Sequence, residues 1–279
     1  MRLLLGALVV ALLALTLQAG AVDNKVRSLV DEQNYLTHQR LIDLIFQDRD
    51  SFFLEDGRLD VIKVVSTLKE NGLLDIFHQG APRDLQATFR TGQSPTLLLK
   101  VLSDVLSDMG YNFYIPAHMQ MDAYRFEWTI AYRSDHAIDP VLLARRLARY
   151  GVTIDDINKK QDTWLYDLSA LDPALPDAQP LIADDDEPLT LLSPQGEYWV
   201  ALDEAGHKLG MRRRTGALWF PYATFYDRDL RILSIHILEH GVRTFAPEVP
   251  EGAAYLRLTD NYTTENLRHG IVLWLESAP

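Results

Sequence analysis

There is no cysteine anywhere in the 279 residues. Disulfides, thiolate metal sites, cysteine nucleophiles and a lipidated N-terminal cysteine are therefore excluded. Glycine (15) and proline (13) are too few for a low-complexity or collagen-like chain. Positive charge is in short supply: Lys and Arg total 27 against 39 Asp and Glu, a formal net charge of −12. Nucleic acid is not an expected partner, because phosphate recognition needs a basic footprint. No G-x-S-x-G elbow, P-loop or G-x-G-x-x-G occurs, so neither a nucleophile elbow nor a phosphate cradle has sequence support. Beyond the first residues, no run is long and apolar enough to span a bilayer. What remains is an ordinary folding composition, 47% hydrophobic and 24% charged.

The N-terminus carries the clearest signal. Arg2 is followed by an apolar run from Leu3 to Leu17 and then by Ala19-Gly20-Ala21. A positive start, a short apolar stretch and small residues at an A-x-A site are the parts of a secretory signal peptide. Residues 1–21 are expected to be removed and the mature chain to begin at Val22. A cysteine-free exported protein of this size fits a bacterial periplasm better than a small secreted scaffold, which disulfides would staple.

Residues 22–80 read as an N-terminal helical segment. One helix is expected from Asp23 to about Asp48 and another from Asp60 to Asn71, the latter with an apolar stripe of Val61, Val64, Val65 and Leu68. Over residues 81–170 the order is strand (Leu85 to Phe89), helix (from Ser94-Pro95), two strands (Tyr111 to Met121, Tyr124 to Arg133), helix (from Asp139-Pro140) and strand (Val152 to Ile157). Trp164 to Leu168 extends or follows the last strand. That order predicts a ferredoxin-like βαββαβ domain with a four-stranded antiparallel sheet. Residues 171–188 hold four prolines and the run Asp184 to Glu187, and are expected to form a solvated acidic linker rather than a calcium loop. In residues 189–279 helical periodicity stops and short strand-like runs alternate with turn signals, which predicts an all-β sandwich domain. The fold class expected is thus α+β: N-terminal helices, a ferredoxin-like domain, then a C-terminal β-sandwich.

Candidate chemistry is sparse. His236-Ile237-Leu238-Glu239-His240 matches the H-x-x-E-H zinc pattern, which works only on a helix, where residues four apart share a face. Its neighbours, Arg231 to Ile237, are strand-like, and in a strand the two imidazoles would lie ~13 Å apart. No metal site, no cofactor and no catalytic residue is expected. Met211 to Thr215 holds the basic cluster Arg212-Arg213-Arg214, expected at a solvated hairpin tip. Asn261-Tyr262-Thr263 fits a glycosylation sequon. The β-rich region is dense in aromatics, which suit sugars or extended peptides. Trp199 and Trp274 are expected in the core; Trp219, Tyr222 and Tyr226 flank Pro221 in a loop-like setting and are the expected ligand-binding residues. The function expected is that of an exported periplasmic, non-catalytic binding or cell-envelope assembly protein with a protein or glycan partner. The alternatives are a carbohydrate- or peptide-binding protein using the β-sandwich, and an exported hydrolase.

Overall fold

A computed structural model describes residues 20–77, 80–171, 173–181, 188–192, 196–202 and 208–276. The described chain is mixed α+β, with six helices and three β-sheets. It divides into two compact units, Met1–Asp172 and Pro173–Pro279. No helix among the described residues is long and apolar enough to cross a membrane.

The first unit opens with helix α1 (20–30), whose Val22, Val26, Leu29 and Val30 are buried on one stripe. The expected single helix is in fact three. Asp31 adopts φ 60° and stops α1, and its carboxylate then accepts the Asn34 N–H at 2.9 Å to cap α2 (Glu32–Thr37). α3 (Gln39–Ile45) follows. α4 (Val61–Glu70) lies where the apolar stripe put it, capped by Asp60 onto Lys63 N–H and stopped by Gly72 at φ 69°.

A five-stranded sheet follows, built from β1 (Arg83–Thr91), β2 (Ile115–Met121), β3 (Phe126–Ser134), β4 (Val152–Lys160) and β5 (Thr163–Ala170). α5 (Pro95–Asp108) and α6 (Pro140–Ala148) interrupt the strands. α5 starts at Ser94-Pro95 and buries Leu97, Leu98, Val101, Leu102, Val105 and Leu106. Each such side chain contributes about 1.5–3 kcal/mol relative to exposure, so this face alone anchors the helix. The sheet order is β2-β3-β1-β5-β4. Trp164 to Leu168 therefore does not extend the fourth strand. It belongs to a separate strand, β5, which forms a hairpin with β4 and enters between β4 and β1, pairing parallel to β1. A four-stranded, wholly antiparallel sheet is thereby replaced by five strands with one parallel pair. The tight turn at Gln161-Asp162, where Gln161 adopts φ 56°, brings β5 back beside β4.

Three tyrosines pin the loop that leads into α6. Tyr111 donates to Ala137 O (3.3 Å), Tyr166 donates to Ile138 O (3.2 Å), and Tyr132 Oη accepts the Ile138 N–H (3.2 Å). Burial pushes the Tyr132 phenol up to about 12, and burial with neighbouring Tyr132, Asp139 and Asp135 raises Tyr111 further. Burial holds Tyr166 well above its ordinary value as well. Free tyrosine ionises near 10, so below that pH both folded and unfolded chains keep these protons. As pH rises above ~10 the unfolded chain loses them first, and stability falls. A spectrophotometric titration at alkaline pH is expected to show these phenols ionising late, together with loss of fold. Ionisation of all twelve tyrosines near pH ~10 in a still-folded protein would contradict the burial.

The second unit holds two sheets, β11-β10-β13-β8-β6 and β12-β9-β14-β7. Their strands are β6 (Gln179–Leu181), β7 (Leu189–Leu191), β8 (Tyr198–Leu202), β9 (Lys208–Arg213), β10 (Pro221–Tyr226), β11 (Ile232–Ile237), β12 (Thr244–Phe245), β13 (Tyr255–Asp260) and β14 (Ile271–Glu276). One core joins both sheets: Tyr198, Val200, Phe225, Leu256 and Leu258 from the first, Leu191, Leu209, Met211, Ile271 and Leu273 from the second. The expected linker is not solvated throughout. Leu175, Ala178 and Leu181 are buried, and Gln179–Leu181 pairs parallel with β8 as an edge strand. Pro180 is tolerated there because an edge strand can spare a donor. The acidic run Asp184 to Glu187 lies outside the described residues.

Candidate functional site

Pro221 opens β10 instead of a loop. A proline is compatible with the first residue of a strand, where its missing N–H breaks no ladder. The preceding Phe220 N–H is taken by the Asp260 carboxylate at 2.9 Å. β10 then lies in the middle of its sheet, antiparallel to both β11 and β13. This placement separates the three aromatic candidates.

Trp219 is fully buried in the core, and its indole N–H has no hydrogen-bond partner among the described residues. Its backbone forms a two-bond bridge with Val242, Trp219 N–H to Val242 O at 3.0 Å and the reverse at 2.9 Å. Its backbone does lie outside the strands, but its side chain packs the interior instead of lining a surface site. Tyr222 and Tyr226 lie on the other face of the sheet, because Ala223 and Phe225 point into the core and side chains alternate. Tyr222 is half-buried; Tyr226 is 9% exposed, with its ring 5.3 Å from that of Trp199.

Trp199 is likewise half-buried and belongs to this outward face, opposite Arg257 in the β8–β13 register. Its indole donates to Glu197 Oε1 at 2.7 Å, and Glu197 Oε2 accepts from Arg257 Nε. Burial disfavours the Arg257 charge, but the Glu197 hydrogen bond and charge, with a contribution from Tyr226, raise its pKa overall. The result is a fixed aromatic and ionic cluster, Trp199–Glu197–Arg257–Tyr226, in which the indole engages one Glu197 oxygen and the guanidinium the other.

The same face ends at β11, an edge strand of the sheet. Ile235 stands opposite Thr224 and Ile237 opposite Tyr222. Ile232, Leu233, Ile235 and Ile237 are exposed by 57, 40, 46 and 46%, and Ile232–Ile237 contains no charged residue. Edge strands are normally blunted by charge or proline, and this one has neither. Sequence reasoning found the strand but not its edge position, which no local pattern encodes. Glu197 and Arg257 were also missed; they meet only through pairing of β8 with β13.

His236 sits within β11, opposite Ala223, with its ring 5.8 Å from Phe225 and 6.2 Å from Phe245. His240 lies beyond the strand end. The helical spacing that H-x-x-E-H requires is therefore missing. The basic cluster is partly structural: Arg213 Nη1 donates to Leu218 O and Arg214 Nε to His269 O, each at 3.0 Å, and Met211 is buried. Trp274 is half-buried, with its indole lying over Gly210. A cavity of about 420 Å³ lies where β10 ends, beside Asp227 and Asp229. Asp227 Oδ1 is engaged by the backbone N–H groups of Asp229 and Arg231 at 2.9 and 2.8 Å, so it shapes the turn. In the first unit a cavity of about 510 Å³ is bordered by His38, Lys69 and Phe77, but Lys69 is paired with Asp139.

No family model matches the chain, and neither the curated proteins nor the solved structures contain a significant match to it.

Proposed function

We propose that the protein is an exported, non-catalytic binding or assembly protein of the periplasm that takes an extended polypeptide along β11. The observation that carries this is the strand itself: unpaired on one side among the described residues, uncharged, and exposing four large apolar side chains. Strand addition supplies main-chain hydrogen bonds from the free edge, while alternate side chains such as Ile235 and Ile237 set specificity. The engaged state of the nearby carboxylates, together with the lack of catalytic motifs, favours binding over hydrolysis. In finer terms we read the first unit as a ferredoxin-like sheet carrying the inserted strand β5, and the second as a β-sandwich. The shared core of the two sheets supports the latter.

The double variant Ile235→Lys, Ile237→Lys is expected to weaken binding of extended peptides, selected from a displayed library against the wild type, by at least ~10-fold, or ~1.4 kcal/mol. Its melting temperature should stay near that of the wild type, because both positions are solvent-facing. Equal binding by the variant, or failure of the library to yield a peptide that protects β11 from hydrogen exchange, would reject the reading.

Export rests on the N-terminal pattern of Arg2, the apolar run and Ala19-Gly20-Ala21. N-terminal sequencing of protein from a cell-envelope fraction is expected to begin at Val22. A chain retaining Met1, or one confined to the cytoplasm, would overturn it. A second reading, glycan binding, is favoured by the Trp199–Tyr226 ring pair beside Glu197 and Arg257. It predicts that sugars shift tryptophan fluorescence and that Trp199→Phe abolishes the shift.

A further inference from the structure

We infer that Trp274 and Gly210 form a sugar-stacking platform on the outer face of the β12-β9-β14-β7 sheet, which takes a pyranose of an acidic polysaccharide and turns its carboxylate toward Arg212. Leu209 and Met211 of β9, and Ile271 and Leu273 of β14, point into the core. Side chains alternate along a strand, so Lys208, Gly210, Arg212, Val272 and Trp274 share the outer face. Gly210 and Trp274 stand directly opposite each other in the register. A Cβ built on Gly210 would collide with the indole, nearest to Cε2 and then to Nε1 and Cζ2. Cε2 is bonded to both of the others, and a point at the rim of the ring would be nearer to Nε1 or Cζ2 than to Cε2. The observed order therefore puts Gly210 under the flat of the indole. One ring face lies on the sheet and the other is turned away from it. Gly210 does not adopt a left-handed φ, so its backbone does not require glycine. What requires it is the close approach of the indole.

The rim of this platform is polar. Lys208 and Arg212 stand two residues to either side of Gly210, ~7 Å along the strand, which leaves room for a single pyranose ring between them. Thr244 lies opposite Arg212 and Thr190 opposite Val272, and all four rim residues are exposed. Of the three consecutive arginines, Arg213 and Arg214 donate to backbone carbonyls, whereas the Arg212 guanidinium has no partner among the described residues. Its neighbours in register, Thr244 and Val272, are uncharged. Lys208 is opposed by Glu248 across an isolated bridge, so the uncompensated positive charge lies at the Arg212 end. An open planar guanidinium beside a ring platform suits a carboxylate. β9 and β14 are both interior strands of their sheet, so a ligand on this face is held by side chains and not by strand addition. A nucleic acid would need a broader basic footprint than this in a chain of net charge −12. A sugar asks for a flat apolar face with hydroxyl and charged groups at its edge, which Trp274, the two threonines and Arg212 supply. Cover of a strand glycine by a cross-strand aromatic steadies a sheet by itself. The open guanidinium at the rim is the second feature, and sheet stability does not call for it.

The platform is on the other sheet from β11 and Trp199, so its test is separate from theirs. Calorimetric titration of the purified protein with oligomers of galacturonic, glucuronic and mannuronic acid is expected to show binding, with the neutral oligomers of galactose, glucose and mannose at least ~10-fold weaker. Arg212→Gln should lower the uronate affinity to that of the neutral sugar and leave the neutral sugar unchanged. Gly210→Ala keeps an allowed backbone but lifts the indole, and Trp274→Ala removes it; each should weaken both kinds of sugar by at least ~10-fold. Melting reports whether these two variants stay folded, and the exposed Arg212 carries the test if they do not. Trp199→Phe, and Ile235→Lys with Ile237→Lys, should bind uronates as the wild type does. No binding of any uronate oligomer up to ~1 mM, equal uronate affinity in Arg212→Gln, or tighter binding of single-stranded DNA would overturn the inference. So would a Trp274→Ala variant that melts earlier yet binds uronates as well as the wild type, which would leave the Trp274–Gly210 pair a role in sheet stability alone.

Discussion

Gly270→Ala is expected to lose about 2–5 kcal/mol, combining ~1–2 for left-handed backbone strain with ~1–3 for overpacking. Gly270 adopts φ +92°, a conformation that L side chains rarely take. A Cβ there would also meet the Leu191 carbonyl oxygen at 2.6 Å and Leu192 Cδ2 at 2.9 Å. The carbonyl belongs to β7, which pairs with β14 through Leu191 and Ile271, so it cannot retreat without breaking the ladder. Gly216→Ala is the matched control: its φ is +69°, with nothing within 4 Å of the added carbon. It should cost only the strain, about 1–2 kcal/mol. Denaturant unfolding followed by tryptophan fluorescence reads both variants. Equal losses would mean that β7 yields to the methyl group and that its pairing is weak.

Asp260→Ala is expected to cost roughly 3–5 kcal/mol, since each buried donor left without an acceptor costs about 1–3. Asp260 is 7% exposed and ends β13. Its two oxygens accept from the N–H groups of Phe220 (2.9 Å), Tyr262 (3.0 Å) and Thr263 (3.1 Å) and from Asn266 Nδ2 (3.0 Å). One carboxylate thus fixes the entry to β10 and the turn that follows β13. Asp260→Asn keeps the shape and one good acceptor, and should fall between wild type and alanine. Its placement beside the sequon Asn261-Tyr262-Thr263 means that the alanine variant should also raise hydrogen exchange at Tyr262 and Thr263. A loss below ~1 kcal/mol, the value of one ordinary hydrogen bond, would show that water replaces the carboxylate.

Local order was readable wherever one residue's chemistry decides the matter alone. Asp60, Asp139 and Pro95 begin helices because a side-chain acceptor or a fixed φ suits the first turn, and each does so in the structure. The helix expected from Ser94-Pro95 forms as α5, whose apolar residues share one face because a single period of ~3.6 residues selects it. The short strand-like runs expected in residues 189–279 form as strands, Tyr198–Leu202 and Lys208–Arg213 among them. Misreadings arose where one residue type permits two outcomes. Proline at 221 was taken as a loop marker, but at the first position of a strand it breaks nothing, and β10 became a central strand. Asp31 lies inside the helix expected from Asp23 to about Asp48, and its φ of 60° ends that helix instead.

Composition, charge, the absence of thiol chemistry, the signal-like N-terminus and most helix and strand positions follow from the sequence by itself, because they depend on residues close together in the chain. The tertiary structure alone decided that β5 inserts beside β1, that Trp219 is interior while Tyr226 meets Trp199, and that β2 and β11 are edges. Each of these is a matter of which strand neighbours which. A strand's alternation states that it has two faces, but says nothing of whether a neighbour occupies its second edge. The uncharged composition of Ile232–Ile237 acquires meaning only once that segment is seen to end its sheet.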